Sequence, residues 1–235
     1  MAFSGGVDSR FLAAGAKYLG FDFIAWTFSG PHITAFETQF AEHWCRKNEI
    51  TQKTVFWDPL LNADIEKNDE LRCYFCKRDL LERIDSSFRI LLDGSNTDDF
   101  LSSRPGIAAL KEFDVFSPLK MAGIDKSMLR RLGRHIGLDN YCQPSRSCLM
   151  TRFEKKMKIT RSMLAAISAC EQKFLTAGLR DFRVRVFPNH ARIIIQKQEK
   201  TIFERLCPEI ESFAVSTLNL PTEIFFTRTV SGFSV

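Results

Sequence analysis

Over the first 140 residues, short apolar runs rich in β-prone residues alternate with longer stretches in which apolar residues recur at helical spacing. The short runs predict strands at residues 1–3, 21–28, 54–57, 89–92 and 115–116. The longer stretches predict helices at residues 9–19, 35–47, 75–85, 105–113 and 126–135. Because strands and helices alternate, we expect an α/β domain over residues 1–140 with a parallel, doubly wound sheet.

The pattern changes after residue 140. Residues 141–158 form an irregular connection with several cations, and a helix then begins after Thr160 and ends near Gly178. Alternating strands at residues 182–187 and 191–196 predict a hairpin, and a helix at 201–213 and a strand at 223–229 follow. We therefore expect a small α+β domain over residues 141–235.

The balance of charge favours small anionic ligands. The 235 residues carry 33 lysines and arginines against 28 aspartates and glutamates, a formal net charge of +5. This surplus suits nucleotides but lacks the clustered basicity of nucleic-acid binders, so we expect no nucleic-acid partner. No apolar run could span a bilayer and no secretory signal is visible, which predicts a cytoplasmic protein without a membrane partner. A homo-oligomer is compatible with this composition. Since only three residues precede the first loop, we expect a further segment upstream.

The most informative motif lies between the first predicted strand and the first predicted helix. It consists of Ser4, Gly5, Gly6, Val7, Asp8 and Ser9. Its glycines let the backbone turn sharply, and its serine hydroxyls and the free N–H groups of the helix start offer donors to an anion. The motif is not a Walker A loop, and it resembles the PP-loop that grips the terminal phosphates of ATP in ATP pyrophosphatases. The alternative is a tight glycine turn with a serine cap.

Polar residues also follow other predicted strands. In parallel sheets ligands bind beyond the carboxyl ends of the strands, so we expect Thr27, Ser95 and Asp98 to lie beside the loop and to bind ATP with it. Asp8 would repel phosphates unless a cation intervened, which predicts a Mg²⁺ ligand. The alternatives are a helix-capping aspartate at position 8 and an ordinary turn at residues 93–99.

Seven cysteines in such a chain indicate thiols kept reduced for chemistry or metal binding rather than disulfides. Cys45, Cys170 and Cys207 stand among apolar residues of helical stretches, and we assign them to packing. Cys73 and Cys76 form a Cys-x-x-Cys pair, whose spacing suits tetrahedral metal, an iron-sulfur cluster or a redox couple.

Two further cysteines lie in the irregular connection. Cys142 and Cys148 would complete a zinc site with the Cys-x-x-Cys pair, although their spacing is unlike that of a zinc knuckle. Cys148 is flanked by Arg146 and Arg152, which favour the thiolate form that attacks electrophiles or binds iron. The alternative for Cys148 is a buried loop cysteine.

Taken in order, the motifs resemble those of one family, the ATP-dependent sulfur transferases of the LarE type, which act in the synthesis of the nickel-pincer nucleotide cofactor. The matching segments are Ser4-Gly-Gly-Val-Asp-Ser9, Arg72-Cys-Tyr-Phe-Cys-Lys77, Asp93-Gly-Ser-Asn-Thr-Asp-Asp99, Arg104-Pro-Gly106, Ser117-Pro-Leu119, Cys148-Leu149 with Thr151-Arg152, and Arg183-Val-Arg185 followed by Ala191-Arg-Ile193. They span nearly the whole chain. The resemblance implies the PP-loop, or adenine nucleotide alpha hydrolase-like, fold.

The resemblance also implies a reaction in two stages. The enzyme adenylylates a carboxylate of a pyridinium dicarboxylate mononucleotide, a small molecule that bears a phosphate, and releases pyrophosphate; sulfur then displaces AMP. In one branch of the family the cysteine matching Cys148 gives up its own sulfur. In another, cysteines matching Cys73, Cys76 and Cys148 hold a [4Fe-4S] cluster with an extra sulfide. This chain has all three cysteines, so we expect the cluster branch, with ATP, Mg²⁺ and the cluster as cofactors.

Roles for individual residues follow from the same resemblance. The implied catalytic residues are Cys148, Asp8 and Glu171, and the implied substrate-binding residues are Arg104, Arg183 and Arg185. Arg183 and Arg185 lie two apart on a strand, so both face one side and could grip a phosphate. The alternatives are a solvated helix charge at Glu171 and an exposed basic strand face.

Three other functions compete with this prediction. A PP-loop amide-forming ligase activates a carboxylate in the same way but has no use for the three cysteines. A tRNA thiolation enzyme is also a PP-loop sulfur enzyme, but the modest charge and the lack of a basic, aromatic-rich appendage argue against an RNA partner. A zinc- or nucleotide-binding protein without enzymatic activity also fits the sequence.

Overall fold

The computed structural model describes residues 1–85, 90–101 and 105–228, and these form two compact units. The first unit comprises Met1–Gly30, Ala35–Ile65 and Asp69–Arg146. The second comprises Pro31–Thr34, Glu66–Asn68 and the described residues from Ser147 onward. The domain boundary expected between residues 140 and 141 stays a prediction.

The first unit contains both of the helices whose predicted bounds agree with the structure to the residue. Its elements are α1 Val7–Tyr18, β1 Ala25–Ser29, α2 Ala35–Lys47, β2 Gln52–Phe56, α3 Ala63–Glu66, α4 Arg72–Glu82, α5 Thr97–Leu101, α6 Gly106–Glu112, α7 Pro118–Met121 and α8 Lys126–His135, with a 3₁₀ turn at Pro59–Leu61. The bounds of α2 and α8 are the predicted ones. Helix α4 begins three residues earlier than predicted, so Cys73 and Cys76 both lie within its first two turns.

A parallel sheet forms the centre of the first unit. Strands β1 and β2 pair in parallel. Single-residue parallel bridges join Ala2 to Trp26 and Leu92 to Phe116, and the Ala2 N–H donates to the Leu92 carbonyl at 2.7 Å. The order across the sheet is therefore Phe116, Leu92, Ala2, β1 and β2. The expected α/β class with a parallel sheet is confirmed.

This order reverses at Ala2, because the chain first steps outward to β2 and then returns to Leu92 on the other side. Such a reversal is a topological switch point, where ligands bind in open α/β sheets. The segment around Ala2 is anchored by its neighbours: Phe3 is buried and stacks on Trp44 with ring centroids 5.6 Å apart. The loop at residues 4–9 and the segment at residues 93–99 leave the sheet at the switch point.

The second unit has its own sheet and core. Its elements are a 3₁₀ turn at Leu149–Arg152, α9 Arg161–Thr176, β3 Phe182–Val186, β4 Ala191–Gln196, a 3₁₀ turn at Lys197–Glu199, α10 Lys200–Leu218 and β5 Thr222–Thr227. Thr160 caps α9, since its hydroxyl accepts the Met163 N–H at 3.3 Å. The predicted hairpin is confirmed, because β3 and β4 pair antiparallel, and α10 then returns the chain to place β5 parallel to β4.

Helices α9 and α10 pack on each other and on this sheet. Phe174 of α9 meets Phe182 of β3 edge to face at 5.4 Å between centroids, and Phe203 of α10 meets Phe226 of β5 at 5.8 Å. Burial of such aromatic rings stabilises a small sheet that has helices to cover it. Within the described ranges, none of the helices has the length and apolar character needed to cross a membrane. The cytoplasmic location stays a prediction.

Candidate active site

The loop at residues 4–9 has the backbone of an anion cradle. Gly5 has φ +72°, and a Cβ there would lie 2.9 Å from the Cβ of Ala41, so only glycine fits. Gly6 precedes α1, and no side chain caps its first turn in the described structure. The Ser4 hydroxyl accepts the Gly6 N–H at 3.3 Å, and the Ser9 hydroxyl donates to the Gly6 carbonyl at 3.0 Å. The N-terminal N–H groups of α1 are thus presented at the sheet edge, as phosphate binding requires.

Residues 93–99 lie directly against this loop. A Cβ on Gly94 would stand 2.9 Å from the Ser9 nitrogen and 3.1 Å from the Ser9 Cα. The backbone of residue 94 therefore touches the start of α1, and any side chain would push the two apart. The structure thus brings together residues 4–9 and 93–99, as the strand order expected from the sequence predicts.

Asp93 holds this second segment in shape. Its carboxylate is buried and accepts the hydroxyls of Ser117 and Ser95, each at 2.6 Å. The Lys77 ammonium lies 3.7 Å from the same carboxylate. The Ser95 side chain, expected to contact ATP, is thus engaged in orienting Asp93.

Asp8 has two partners that sequence reasoning missed. The Asn96 amide donates to one carboxylate oxygen at 3.1 Å, and the Lys126 ammonium forms an ion pair with the other. Asp98 meets the same helix, because its carboxylate accepts the Lys126 backbone N–H at 3.0 Å. A lysine in the first turn of a helix is unfavourable, because the helix dipole places positive charge there. This unusual position of Lys126 was the sequence feature that could have marked it as a site residue. Asp125 is the N-cap of α8, and an aspartate at this position indicates in the sequence that Lys126 begins the helix.

Arg10 is the second residue that sequence reasoning missed. Its side chain is fully buried, and its Nε donates to the Gly5 carbonyl at 3.0 Å. Its remaining nitrogens donate to the Asp139 carbonyl and to the Gln143 side chain, the latter at 2.8 Å. Burial lowers the pKa of Arg10, while the nearby Asp139 and Asp8 charges raise it. Arg10 therefore ties the cradle to a turn far along the chain.

Thr27, another expected ATP contact, is buried in the middle of β1. Its hydroxyl accepts the Gln52 amide of the neighbouring strand at 2.6 Å. The bond joins the two paired strands. A contact between Thr27 and ATP stays a proposal.

The cysteines separate into a buried and an accessible group. Cys45 and Cys170 are buried, as assigned, and burial raises the pKa of each to about 12. Cys73 is exposed and Cys76 is half-buried, and their spacing of three residues puts both on one face near the start of α4. Cys142, which is exposed, and Cys148, which is half-buried, also belong to the accessible group. The side chain of Cys207 lies outside the described part of the structure.

The described cysteine side chains are not arranged as a metal site. Across residues 1–85, 90–101 and 105–228, no group of three or more His, Cys, Asp or Glu side chains is arranged to hold a metal ion. In the first turn of α4 the Arg72 guanidinium donates to the Cys73 sulfur at 3.4 Å. The cluster and the zinc alternative both stay predictions.

The second unit contains a buried ion pair. Glu171 accepts Arg152 through both carboxylate oxygens, at 2.6 Å and 3.1 Å, and also accepts the Val184 N–H at 3.1 Å. A solvated helix charge at Glu171 is therefore ruled out. The other arm of Arg152 donates to the hydroxyls of Ser147 and Thr151, each at 3.0 Å. Arg152 was expected to support a Cys148 thiolate, but its charge is already balanced by Glu171.

Both strand arginines of β3 are buried, so the alternative of an exposed basic face is wrong. Arg183 donates to the Phe182 carbonyl at 2.6 Å. Desolvation lowers the pKa of Arg185 to about 10, with a further lowering by Arg152 and an opposing effect of Glu171. Arg183 also faces the Asp181 carboxylate, with 4.0 Å between the charged atoms. Arg104, the third expected substrate ligand, lies outside the described residues.

Comparison with known proteins identifies relatives over most of the chain, while no protein-family model matches. The uncharacterized protein slr1717 of Synechocystis sp. is 32% identical over 205 residues, covering 85% of this chain and 76% of the relative. The uncharacterized protein MJ0830 of Methanocaldococcus jannaschii is 26% identical over 233 residues, covering 91% and 89%. The pyridinium-3,5-bisthiocarboxylic acid mononucleotide synthase of Lactiplantibacillus plantarum is 27% identical over 202 residues, covering 82% and 72%.

Two solved structures match more loosely. The predicted tRNA methyltransferase subunit of M. jannaschii has a TM-score of 0.43 at 23% identity, covering 57% of this chain and 72% of that chain. The NMN synthetase of Francisella tularensis has a TM-score of 0.48 at 18% identity, covering 62% and 64%. Because both scores are below 0.5, the fold assignment rests on the sheet order and the loop of this chain.

A glycine-rich cradle at the switch point of a parallel sheet, without a Walker A lysine, defines a PP-loop protein of the ATP pyrophosphatase type. Within that superfamily the sequence relatives decide the family. The chain belongs to the same family as slr1717, and with the L. plantarum synthase it falls in the LarE-type PP-loop superfamily.

Proposed function

We propose that this protein is an ATP-dependent sulfur transferase that adenylylates a substrate carboxylate and then replaces AMP by sulfur. Family membership supports an ATP-dependent PP-loop enzyme. The activity in the name of the L. plantarum relative supports a pyridinium dicarboxylate mononucleotide as the substrate. The observation that carries the proposal is the cradle at residues 4–9, against which Gly94 packs and within which Asn96 orients Asp8.

The cradle fits the pyrophosphate end of ATP. A side chain at Gly5 or Gly94 would collide with neighbouring atoms, while the N–H groups of α1 and the hydroxyls of Ser4 and Ser9 supply donors. Asp8 is the acidic residue of the first turn of α1 and would hold Mg²⁺. Magnesium would neutralise charge on the phosphates and help pyrophosphate to leave.

The proposed reaction balances as follows. A carboxylate oxygen of the substrate attacks the α-phosphorus of ATP, the bond to the β-phosphate breaks and pyrophosphate leaves. Sulfide then attacks the acyl carbon, and AMP departs with the oxygen that came from the carboxylate. Activation is needed because the oxygen of a free carboxylate is a very poor leaving group.

For the second unit we propose that the positive charge around Arg183 and Arg185 attracts the substrate phosphate. A buried arginine whose charged form is disfavoured by desolvation gains from an anionic ligand that reaches it. Support comes from the lowered pKa of Arg185, which records an environment that disfavours the isolated cation. Glu171 would keep Arg152 and the segment at Cys148 in place during the reaction.

For the sulfur source we propose Cys73, Cys76 and Cys148 as ligands of a [4Fe-4S] cluster. Two thiols on one helical turn suit neighbouring irons, and three thiolates leave the fourth iron open. When bound, the cluster would supply a sulfide for transfer. In the alternative, Cys148 itself gives up its sulfur.

Nucleotide products test the ATP half of the proposal. Protein incubated with Mg-ATP and the pyridinium dicarboxylate mononucleotide should release AMP and pyrophosphate. The Asp8→Ala variant should lose this release, while Asp22→Ala, an exposed aspartate of the same unit, should retain it. ADP with phosphate as products would point to another class of phosphotransfer, and amide formation with ammonia would favour the ligase.

Metal analysis after anaerobic purification tests the sulfur half. We expect a brown protein with about four irons per chain, the stoichiometry of a cubane. Replacement of Cys73, Cys76 or Cys148 by Ala should remove colour and sulfur transfer together, whereas Cys142→Ala should preserve both. Zinc in place of iron, together with an equal requirement for Cys142, would make the site structural.

A further inference from the structure

The Asp8–Lys126 ion pair occupies the position where the proposed function needs phosphate and magnesium. Lys126 is the first residue of α8, and the carboxylate of Asp98 holds its backbone N–H at 3.0 Å. The lysine backbone is therefore fixed beside residues 96–98, which in turn touch the cradle. Only the flexible side chain of Lys126 can move from one partner to another.

The exposure of the two side chains shows that this pair is accessible to a ligand. The side chain of Lys126 is 22% exposed and that of Asp8 is 25% exposed. Partly solvated ion pairs are weak, because water competes for both charges. A ligand that offers each charge a stronger partner can therefore replace the contact.

Mg-ATP is such a ligand, because it offers phosphate oxygens to the ammonium and a divalent cation to the carboxylate. The Asn96 amide holds the second oxygen of Asp8 at 3.1 Å, so the carboxylate keeps its orientation when Lys126 departs. In the part of the chain that the structure describes, the Lys126 ammonium has no second anchor beside Asp8.

We propose that the Asp8–Lys126 ion pair is a latch on the nucleotide site: Mg-ATP opens it, Lys126 transfers to the phosphates and Asp8 transfers to magnesium. This inference rests on the proposed ATP-dependent function and adds Lys126 as a ligand of the phosphates. It also makes Lys126 an intramolecular competitor of magnesium for Asp8 in the nucleotide-free protein.

Binding of an ATP analogue that resists cleavage between the α- and β-phosphates, α,β-methylene-ATP with Mg²⁺, tests the latch by calorimetry. Loss of one charge-assisted hydrogen bond should weaken binding of the analogue to Lys126→Gln by about 10- to 100-fold. Arg131→Gln removes the same charge from an exposed position on the same helix and should leave the affinity unchanged. Thermal unfolding of both variants checks that they fold.

A second variant separates a latch from a simple phosphate ligand. In Asp8→Asn the lysine is released, so metal-free pyrophosphate should bind more tightly to this variant than to the unaltered protein, while Mg-ATP turnover is lost. Because removal of the Asp8 charge alone also favours an anion, the gain must depend on Lys126 and should disappear in the Asp8→Asn, Lys126→Gln double variant. Unchanged or weaker pyrophosphate binding by Asp8→Asn would overturn the latch, as would normal analogue binding by Lys126→Gln. If the unaltered protein forms AMP and pyrophosphate in either case, the proposed function stands; if it binds no Mg-ATP, both inferences fail.

Discussion

Two ion pairs of similar chemistry lie in very different surroundings. Asp8–Lys126, at the nucleotide cradle, has side chains 25% and 22% exposed, whereas Arg152–Glu171, in the second unit, has side chains 3% and 8% exposed. A solvated pair contributes little to stability and is free to exchange partners. A buried pair cannot lose one member without leaving the other charge in a nonpolar environment. On the functions proposed above, the partly exposed pair exchanges partners with a ligand and the buried pair holds the fold.

The strongest way to break this comparison is to remove the anion of the buried pair. Glu171→Ala would leave Arg152 buried without its carboxylate, and we expect the free energy of unfolding to fall by about 3–5 kcal/mol. Urea unfolding of the variant measures the loss. Glu209→Ala, which breaks the exposed pair with Lys173 of the same α9 helix, is the control and should leave the urea midpoint unchanged. Equal effects of the two changes would contradict the distinction.

The first unit offers a buried cation of another kind. Arg10 binds carbonyl and amide oxygens rather than a carboxylate, so Arg10→Met should cost about 2–3 kcal/mol, in the range of hydrogen bonds to charged groups. The same change should weaken Mg-ATP binding, because the Gly5 carbonyl loses its donor. Chemical denaturation and calorimetry measure the two effects. Lys17→Met on the same helix, where the side chain is exposed, should change neither quantity.

Gly94 tests the cradle with a smaller effect on stability. A Cβ at this position collides with the Ser9 backbone, so Gly94→Ala should cost about 1–3 kcal/mol and reduce ATP binding. Gly15, in the middle of α1, has open space around it. Gly15→Ala should therefore stabilise the protein by about 0.5–1 kcal/mol and leave ATP binding intact. If the two alanines behaved alike, the packing of residue 94 on the cradle would be wrong.

Thiol reactivity sharpens the contrast without changing stability. Alkylation requires the thiolate, and the pKa of about 12 that burial imposes on Cys45 and Cys170 leaves little thiolate at pH 8. Iodoacetamide should modify Cys73 and Cys142 in the folded protein and reach the buried pair only after urea unfolding. Mass spectrometry of the labelled peptides gives the order. Labelling of all four at one rate would show that the buried thiols open readily.

Much of the fold was accessible to sequence reasoning, for local reasons. Helix α2 was predicted to the residue from its amphipathic periodicity, and helix α8 from a helical stretch that is followed by Gly137. The strand predicted to begin at residue 21 begins instead at Ala25, since Gly20 at φ +75° and the Phe21 N–H, which donates to the Ala16 carbonyl at 3.0 Å, still belong to the end of α1. Strand length depended on partners that the pattern does not specify.

The site was predictable only where the backbone itself forms it. The glycines and serines of the cradle reveal their role in sequence, because sharp turns and free N–H groups need those residues. The roles of Lys126 and Arg10 were not visible in the sequence, because their contacts join residues that lie far apart along the chain. The burial of Arg183 and Arg185 was also missed, because alternation places both on one side of a strand without indicating what covers it.

The fate of one oxygen atom tests the central claim most directly. The substrate carboxylate is labelled with ¹⁸O and incubated anaerobically with the protein and Mg-ATP, and the mass of the AMP is measured. Adenylylation followed by sulfur attack at the acyl carbon transfers one labelled oxygen to AMP, so the account predicts AMP heavier by one ¹⁸O together with the thiocarboxylate product. Unlabelled AMP, or ADP as the nucleotide product, would contradict it.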